Sequence, residues 1–157
     1  MYLKNRLTNQ NTECEILELS RGDLQKIKRD VEFGFDWSTE KWNDTYKLFA
    51  LSDRDKILGL MSLIDRPDEF RIHLNLLEVT KSQQGDKKTL EGIAGCLIAF
   101  AASLAIKKGY GGFVSLEPKT QLIEHYQDKY GFRQYGRYLA IEGAFSISLI
   151  DKYLNDD

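Results

Sequence analysis

Three consecutive runs, "TYKLFALS", "KILGLMSLI" and "FRIHLNLLEVT", keep apolar residues at strand-like spacing and length. They are joined by "DRD" and "DRPDE", both rich in turn formers, so the pattern predicts an antiparallel meander. A helical period follows. Residues 92 to 108 put Ile93, Leu97, Phe100, Ala101 and Leu104 on one face and stop at Lys107, Lys108 and Gly109. "GGFVSLEP" then reads as a short apolar strand, and "TQLIEHYQDKYGF" as a helix with Leu122, Ile123, Tyr126 and Tyr130 on one side. A strand, a helix and a further strand imply a right-handed crossover. Upstream, "CEILELS" alternates like a strand, and Ser20 caps a helix carrying Leu24, Ile27 and Val31. The aromatic stretch "FGFDWSTEKW" is irregular, with a short helix expected after Ser38. "RQYGRYLAIE" and "AFSISLI" are expected to close the chain as a hairpin turning at Gly143. The predicted order is β, α, βββ, α, β, α, ββ.

Neither repeats nor low-complexity tracts interrupt this order, and Pro67 and Pro118 both fall at turns, so residues 1–157 read as one domain. Composition changes the picture little: 42% hydrophobic and 29% charged residues are ordinary for a globular protein. A net charge of -2 opposes a nucleic-acid partner. The N-terminal residues have no signal-peptide pattern, and the apolar stretch 92 to 106 is too short and alanine-rich to span a bilayer. A cytoplasmic protein with no membrane partner is expected. Cys14 and Cys96 lack metal-ligand spacing, and Cys96 lies within the apolar helix as a small buried thiol, so neither a metal nor a disulfide framework is expected.

The approach to the 92–108 helix is unlike the rest. "KSQQGDKKTLEGIAG" brings lysines and glycines to the start of a helix that is otherwise core. Backbone N–H groups at such a start can hold an anion, and glycine allows its close approach. The plainer reading is that Gly92 and Gly95 let a buried helix pack closely while the lysines are solvated. A nucleotide-hydrolysing P-loop is disfavoured, because no Gly-Lys-Ser/Thr ends the loop. A dinucleotide-binding site is disfavoured by the strand pattern.

The element order, with "LLEVTKSQQGDKKTLEGIAGCLIAFA" and "GGFVSLEPKTQLIEHYQDKYGF" as its carriers, resembles the GNAT N-acetyltransferase superfamily. The resemblance covers residues 13 to 150. It implies an α/β (α+β) fold with a mixed, mostly antiparallel sheet of six to seven strands flanked by helices. It also implies acetyl-CoA as co-substrate and an amine acceptor attacking the thioester directly in a ternary complex. Residues 85 to 95 would cradle the coenzyme pyrophosphate, with Gly85, Lys87, Lys88, Thr89, Gly92, Ile93, Ala94 and Gly95 contributing. Thr89 stands where the family usually has Arg or Gln, and the preceding loop is longer than usual; a capping threonine and the two lysines would substitute. Backbone groups around Leu77, Val79 and Lys81 would pair with the pantetheine amides as an added strand does.

The chemistry needs a base for the ammonium and an acid for the departing thiolate. Tyr126 is the acid candidate, although one extra residue separates it from Gly-Phe, and Tyr130 is the alternative. In "RIHLNLLEV", Ile72, Leu74 and Leu76 form one face and Arg71, His73 and Asn75 a polar one, making His73 a base candidate. Glu78 and Glu117 end the strands that splay at the thioester in this family, so either could act through water; each could equally be a surface or loop-tethering glutamate. His125 is expected off the active face. Phe33, Phe35, Trp37 and Trp42 lie where the acceptor would bind, or form a satellite core. A non-enzymatic alternative is an acyl-CoA-binding or interaction module of the same fold, and "RYLAIE" with "FSISLI" offers edges for a homodimer.

Overall fold

The computed structural model describes residues 1–40, 43–118 and 123–155. Nine strands form one sheet: β1 (Tyr2–Asn5), β2 (Asn11–Glu18), β3 (Asp44–Ala50), β4 (Gly59–Arg66), β5 (Arg71–Val79), β6 (Leu90–Glu91), β7 (Val114–Leu116), β8 (Arg133–Tyr135) and β9 (Tyr138–Ile141). Their spatial order is β6-β1-β2-β3-β4-β5-β7-β9-β8. All neighbours are antiparallel except β5 and β7. Among the described residues four helices flank the sheet: α1 (Arg21–Arg29), α2 (Ile93–Lys107), α3 (Ile123–Tyr130) and α4 (Gly143–Tyr153).

The meander β3-β4-β5, the helix behind Ser20 and the helix from residue 93 follow the sequence pattern. Ser20 and Asp23 form a reciprocal capping box, satisfying two N–H groups at the start of α1. Val31 lies past that helix and is exposed. The short helix expected after Ser38 is a 3-10 turn that starts two residues earlier, at Trp37.

The sheet is larger than the expected six to seven strands. The two additions, β1 and β6, pair with each other, and four- and two-residue strands are too short to display a period. The final hairpin is also corrected. "AFSISLI" belongs to α4, and the turn joining the last two strands is at Gly136, between Tyr135 and Tyr138. Tertiary packing overrides the strand-like alternation here: Ser146 is fully buried and donates to the Gly112 carbonyl, while Phe145 and Ile147 face outward. With "FSISLI" helical and "RYLAIE" in β9, which is paired with β7 on one side and β8 on the other, neither of the edges expected for a dimer is a sheet edge.

The principal core lies on the α2 side of the sheet, where Leu48, Met61, Leu63, Ile72 and Leu74 meet Leu97, Ile98, Ala101 and Ala105. A second, smaller core on the other side joins Ile27 of α1 to Phe33, Trp37, Ile57 and Leu60. Between them, β5 changes face. Ser62 opposes Leu76 and Leu63 opposes Leu74, so Asn75 is an extra residue in the ladder, a β-bulge. Leu76 therefore packs with the second core and Leu77 with the first, instead of Leu76 continuing the face of Ile72 and Leu74.

Candidate active site

The β5–β7 ladder stops at Leu74 and Leu116, while β5 runs on to Val79. Beyond that point the strands part. Thr80 N–H donates to the Leu58 carbonyl of the neighbouring meander strand, so the alternation of an antiparallel pair turns the backbone groups of Leu77 and Val79 the other way, toward the gap. A cleft of about 410 Å³ opens there, between Leu77 and Val79 on one wall and α3 residues His125, Tyr126, Lys129 and Tyr130 on the other.

The first turn of α2 forms its floor. Gly92 is the residue before the helix, with φ +105, a conformation that glycine adopts without a Cβ penalty. No side chain caps this end, and the first intrahelical bond runs from Cys96 N–H to Gly92 O. The N–H groups of Ile93, Ala94 and Gly95 thus have no helical acceptor, and all three residues line the cleft. They supply the positive end of the helix dipole. Gly95 also has a packing duty, because a Cβ there would overlap the Tyr153 ring of α4. The plainer, packing reading therefore holds for Gly95.

Other parts of the expected cradle are placed differently. Thr89 does not cap α2: it precedes β6, and its N–H and hydroxyl are both bonded to the Gln83 amide, at 3.0 and 2.8 Å. The same Gln83 oxygen accepts from Leu90 N–H at 2.9 Å, so one side chain ties down the loop from residue 83 to 90. Lys81 cannot extend the open backbone edge, since its N–H donates to Glu32 O and its carbonyl accepts from Gln84. Lys87 is exposed and away from the cleft, whereas Lys88 and Gly85 line it. Lys88 pairs with Glu91 at 2.9 Å.

The cation missing from the sequence reading is Lys129, on the opposite wall. Burial of its stem lowers its pKa, and the Lys88 charge across the cleft and Lys152 lower it further, against the pull of Glu91. Two ammonium groups thus face one cleft. An anion between them would relieve their repulsion.

Tyr126 lies where this cleft meets a smaller one of about 150 Å³, lined also by Phe35, Asn75, Leu76, Leu77, Leu116, Glu117 and Pro118. Burial raises its phenol pKa, which keeps the proton on oxygen. Among the described residues it makes ring contacts only, with His125, Tyr130 and Phe132. Tyr130 is more deeply buried, and its pKa is raised by burial and by Tyr153 and Tyr126. His125 is exposed but lines the large cleft instead of pointing away from it.

The three base candidates are spread apart. Glu78 is buried and accepts from Gly34 N–H at 2.6 Å, Phe35 N–H at 3.2 Å and Trp37 Nε1–H at 2.9 Å, a tether for the aromatic loop. His73 is half-buried, with Nδ1 2.9 Å from Ser115 Oγ, which itself lies 2.6 Å from Arg71 Nη1. Arg71 Nη1, which can only donate, also lies 3.3 Å from His73 Nδ1, so Nδ1 is assigned as the acceptor and the His73 proton to Nε2. Burial, then the Arg71 charge, lower the His73 pKa. The lone pair a base needs is occupied. Glu117 is exposed at the mouth of the smaller cleft, 3.6 Å from Arg137. Phe33 and Trp37 belong to the second core and Phe35 to the cleft wall; Trp42 and Leu122 lie outside the described residues. Among the described residues no cluster of His, Cys, Asp or Glu could hold a metal ion, and no helix is long and apolar enough to cross a membrane.

No family model and no curated protein matches the sequence. Solved structures do match. Ard1 from Thermoplasma volcanium is 15% identical, with a TM-score of 0.59 over 83% of this chain and 97% of that one. The spermidine/spermine N-acetyltransferase SpeG from Vibrio cholerae, in mutant form, is 14% identical, with a TM-score of 0.61 over 87% and 98%. AtaTR bound with acetyl-CoA is 16% identical, with a TM-score of 0.58 over 87% and 96%. With a splayed β5–β7 pair over an open helix start, and with these neighbours, the chain has the fold of the GNAT acetyltransferases.

Proposed function

We propose that the protein is an acetyl-CoA-dependent N-acetyltransferase acting on a primary amine. The observation that carries this reading is the coincidence, in one cleft, of the uncapped α2 start and the β5 backbone edge at Leu77 and Val79, where the Val79 carbonyl accepts from the Gln84 side-chain amide, at 2.7 Å, a partner that a ligand amide would replace. An elongated ligand with amides at one end and phosphates at the other suits that pairing. Ile93, Ala94 and Gly95 would take the pyrophosphate, Lys88 and Lys129 its charge, and the β5 edge the pantetheine amides. The acyl group would then lie in the smaller cleft beside Tyr126. There the amine nitrogen attacks the thioester carbon, the C–N bond forms and the C–S bond breaks. The ammonium would lose one proton to solvent or to a carboxylate such as Glu117 before it attacks; Tyr126 would give its proton to the leaving sulfur and be reprotonated by the second proton that the nitrogen sheds as the amide forms.

Calorimetric titration with acetyl-CoA, followed by thiol release against a panel of primary amines, tests the proposal. Saturable one-to-one binding and amine-dependent thiol release are expected. Absence of binding in folded protein would overturn it.

One observation favours a second reading, an acyl-CoA-binding module without turnover. Glu78 is spent on the aromatic loop and the His73 lone pair on Ser115, which leaves one exposed carboxylate, Glu117, at the splay. Saturable binding without amine-dependent release would select it.

A further inference from the structure

Glu40, at the end of the 3-10 turn Trp37–Glu40, is 5% exposed, and no described residue forms an ion pair with it. Its Oε1 accepts from Ser62 Oγ at 2.6 Å and from Asn75 Nδ2 at 2.5 Å. Ser62 is fully buried on β4, and Asn75 is the bulge residue of β5. The Asn75 atom in this contact is the amide nitrogen, which donates, and that fixes which end of the amide faces Glu40. The nitrogen points to Glu40, and the carbonyl oxygen, Oδ1, is left over. Asn75 itself is exposed and lines the small cleft at the splay, whose other walls are Phe35, Leu76, Leu77, Leu116, Pro118 and Tyr126, with Glu117 at the mouth.

Three features converge on this residue. The bulge re-aims its side chain, the β5–β7 ladder ends one residue before it, and a buried carboxylate fixes its amide. A bulge alone would leave the amide free to rotate, and a surface asparagine would be solvated both ways. Here a short bond to a buried carboxylate oxygen holds one orientation.

We infer that Asn75 is the residue that receives an N–H of the acceptor amine, and that Glu40 is the positioning residue that turns its oxygen to the cleft. The inference rests on the transferase reading given above. In a cleft walled mainly by apolar side chains, one fixed carbonyl oxygen favours a ligand that brings an N–H over one with no hydrogen-bond donor at that position. It can hold the amine beside the thioester without taking its proton.

The test uses the full chain, acetyl-CoA and the same panel of primary amines. Asn75→Ala should raise the amine KM about tenfold, the loss expected for one such hydrogen bond, with acetyl-CoA affinity unchanged. Asn75→Asp should also raise it, because two carboxylates would then meet where one bond existed. Adding Glu40→Gln to Asn75→Asp restores a donor facing an acceptor and should recover the KM, which a merely structural role for Glu40 would not produce. Turnover with an unchanged amine KM in Asn75→Ala, or no recovery in a folded double variant, would overturn the inference alone. If acetyl-CoA binds and no amine in the panel releases thiol, the transferase reading falls and takes the inference with it.

Discussion

The Trp37 indole donates to the Glu78 carboxylate across 2.9 Å, joining the aromatic loop to the end of β5. Gly34 and Phe35 donate to the same carboxylate, so three N–H groups depend on one side chain. Glu78→Ala leaves them without that acceptor in a buried setting, and a loss of about 2–4 kcal/mol is expected. Urea unfolding measures it. A loss below about 0.5 kcal/mol, the range of ordinary surface changes, would show that the loop is held by its own apolar contacts with Ile27 and Leu60.

Coenzyme affinity should follow Lys88 and Lys129 and ignore Lys87. Lys129→Ala and Lys88→Ala are each expected to weaken CoA binding several-fold, with a shallower salt dependence, and Lys87→Ala to leave it unchanged. Titration calorimetry at two ionic strengths separates them. An effect of Lys87→Ala equal to the others would mean that the loop carrying it closes over bound ligand.

Tyr126→Phe is expected to slow thiol release about tenfold or more while acetyl-CoA affinity stays within twofold, because the ring contacts survive and the transferable proton does not. Stopped-flow detection of free thiol reads the first quantity and calorimetry the second. A normal rate would move the proton donor to Tyr130 or to water.

His73 makes folding stability sensitive to pH. Its folded pKa lies below the usual 6.5, through burial and then the Arg71 charge. Between those two values the unfolded chain binds a proton that the folded chain does not. Stability is therefore full above about pH 6.5 and falls as pH drops through that window. His73→Gln should flatten this part of the profile in denaturant midpoints taken from about pH 5 to 8. Equal slopes in both proteins would assign the dependence to other groups.

The long helix, its glycine-marked start and the meander were legible because each has a sustained period or a stop signal. The Asn75 bulge was not, since the doublet Leu76–Leu77 in "RIHLNLLEV" breaks the alternation without saying which residue is extra, and that shows only against the Ser62–Leu63 pair on the neighbouring strand. "AFSISLI" has the alternation of a strand, yet its place against α2 is set by Gly95 receiving the Tyr153 ring, a contact between residues far apart in sequence. Within the candidate site, Ile93 to Gly95 could be found from local pattern. Lys129 could not, because it is an ordinary charged residue in the last turn of α3 until that helix is set across from Lys88. Thr89 was misassigned for a related reason: its partner, Gln83, sits in a polar loop with no period to mark it.

The pairing of β1 with β6 has a kinetic consequence. Lys4 stands opposite Glu91 and Asn5 opposite Leu90, so the residues leading into the first turn of α2 are docked by the opening strand of the chain. A contact of such sequence separation closes only after most of the intervening chain has been ordered, whereas α2 can form locally. During refolding, helical signal should therefore return before the capacity to bind a phosphate-bearing ligand, and the delay between them times the arrival of residues 2–5.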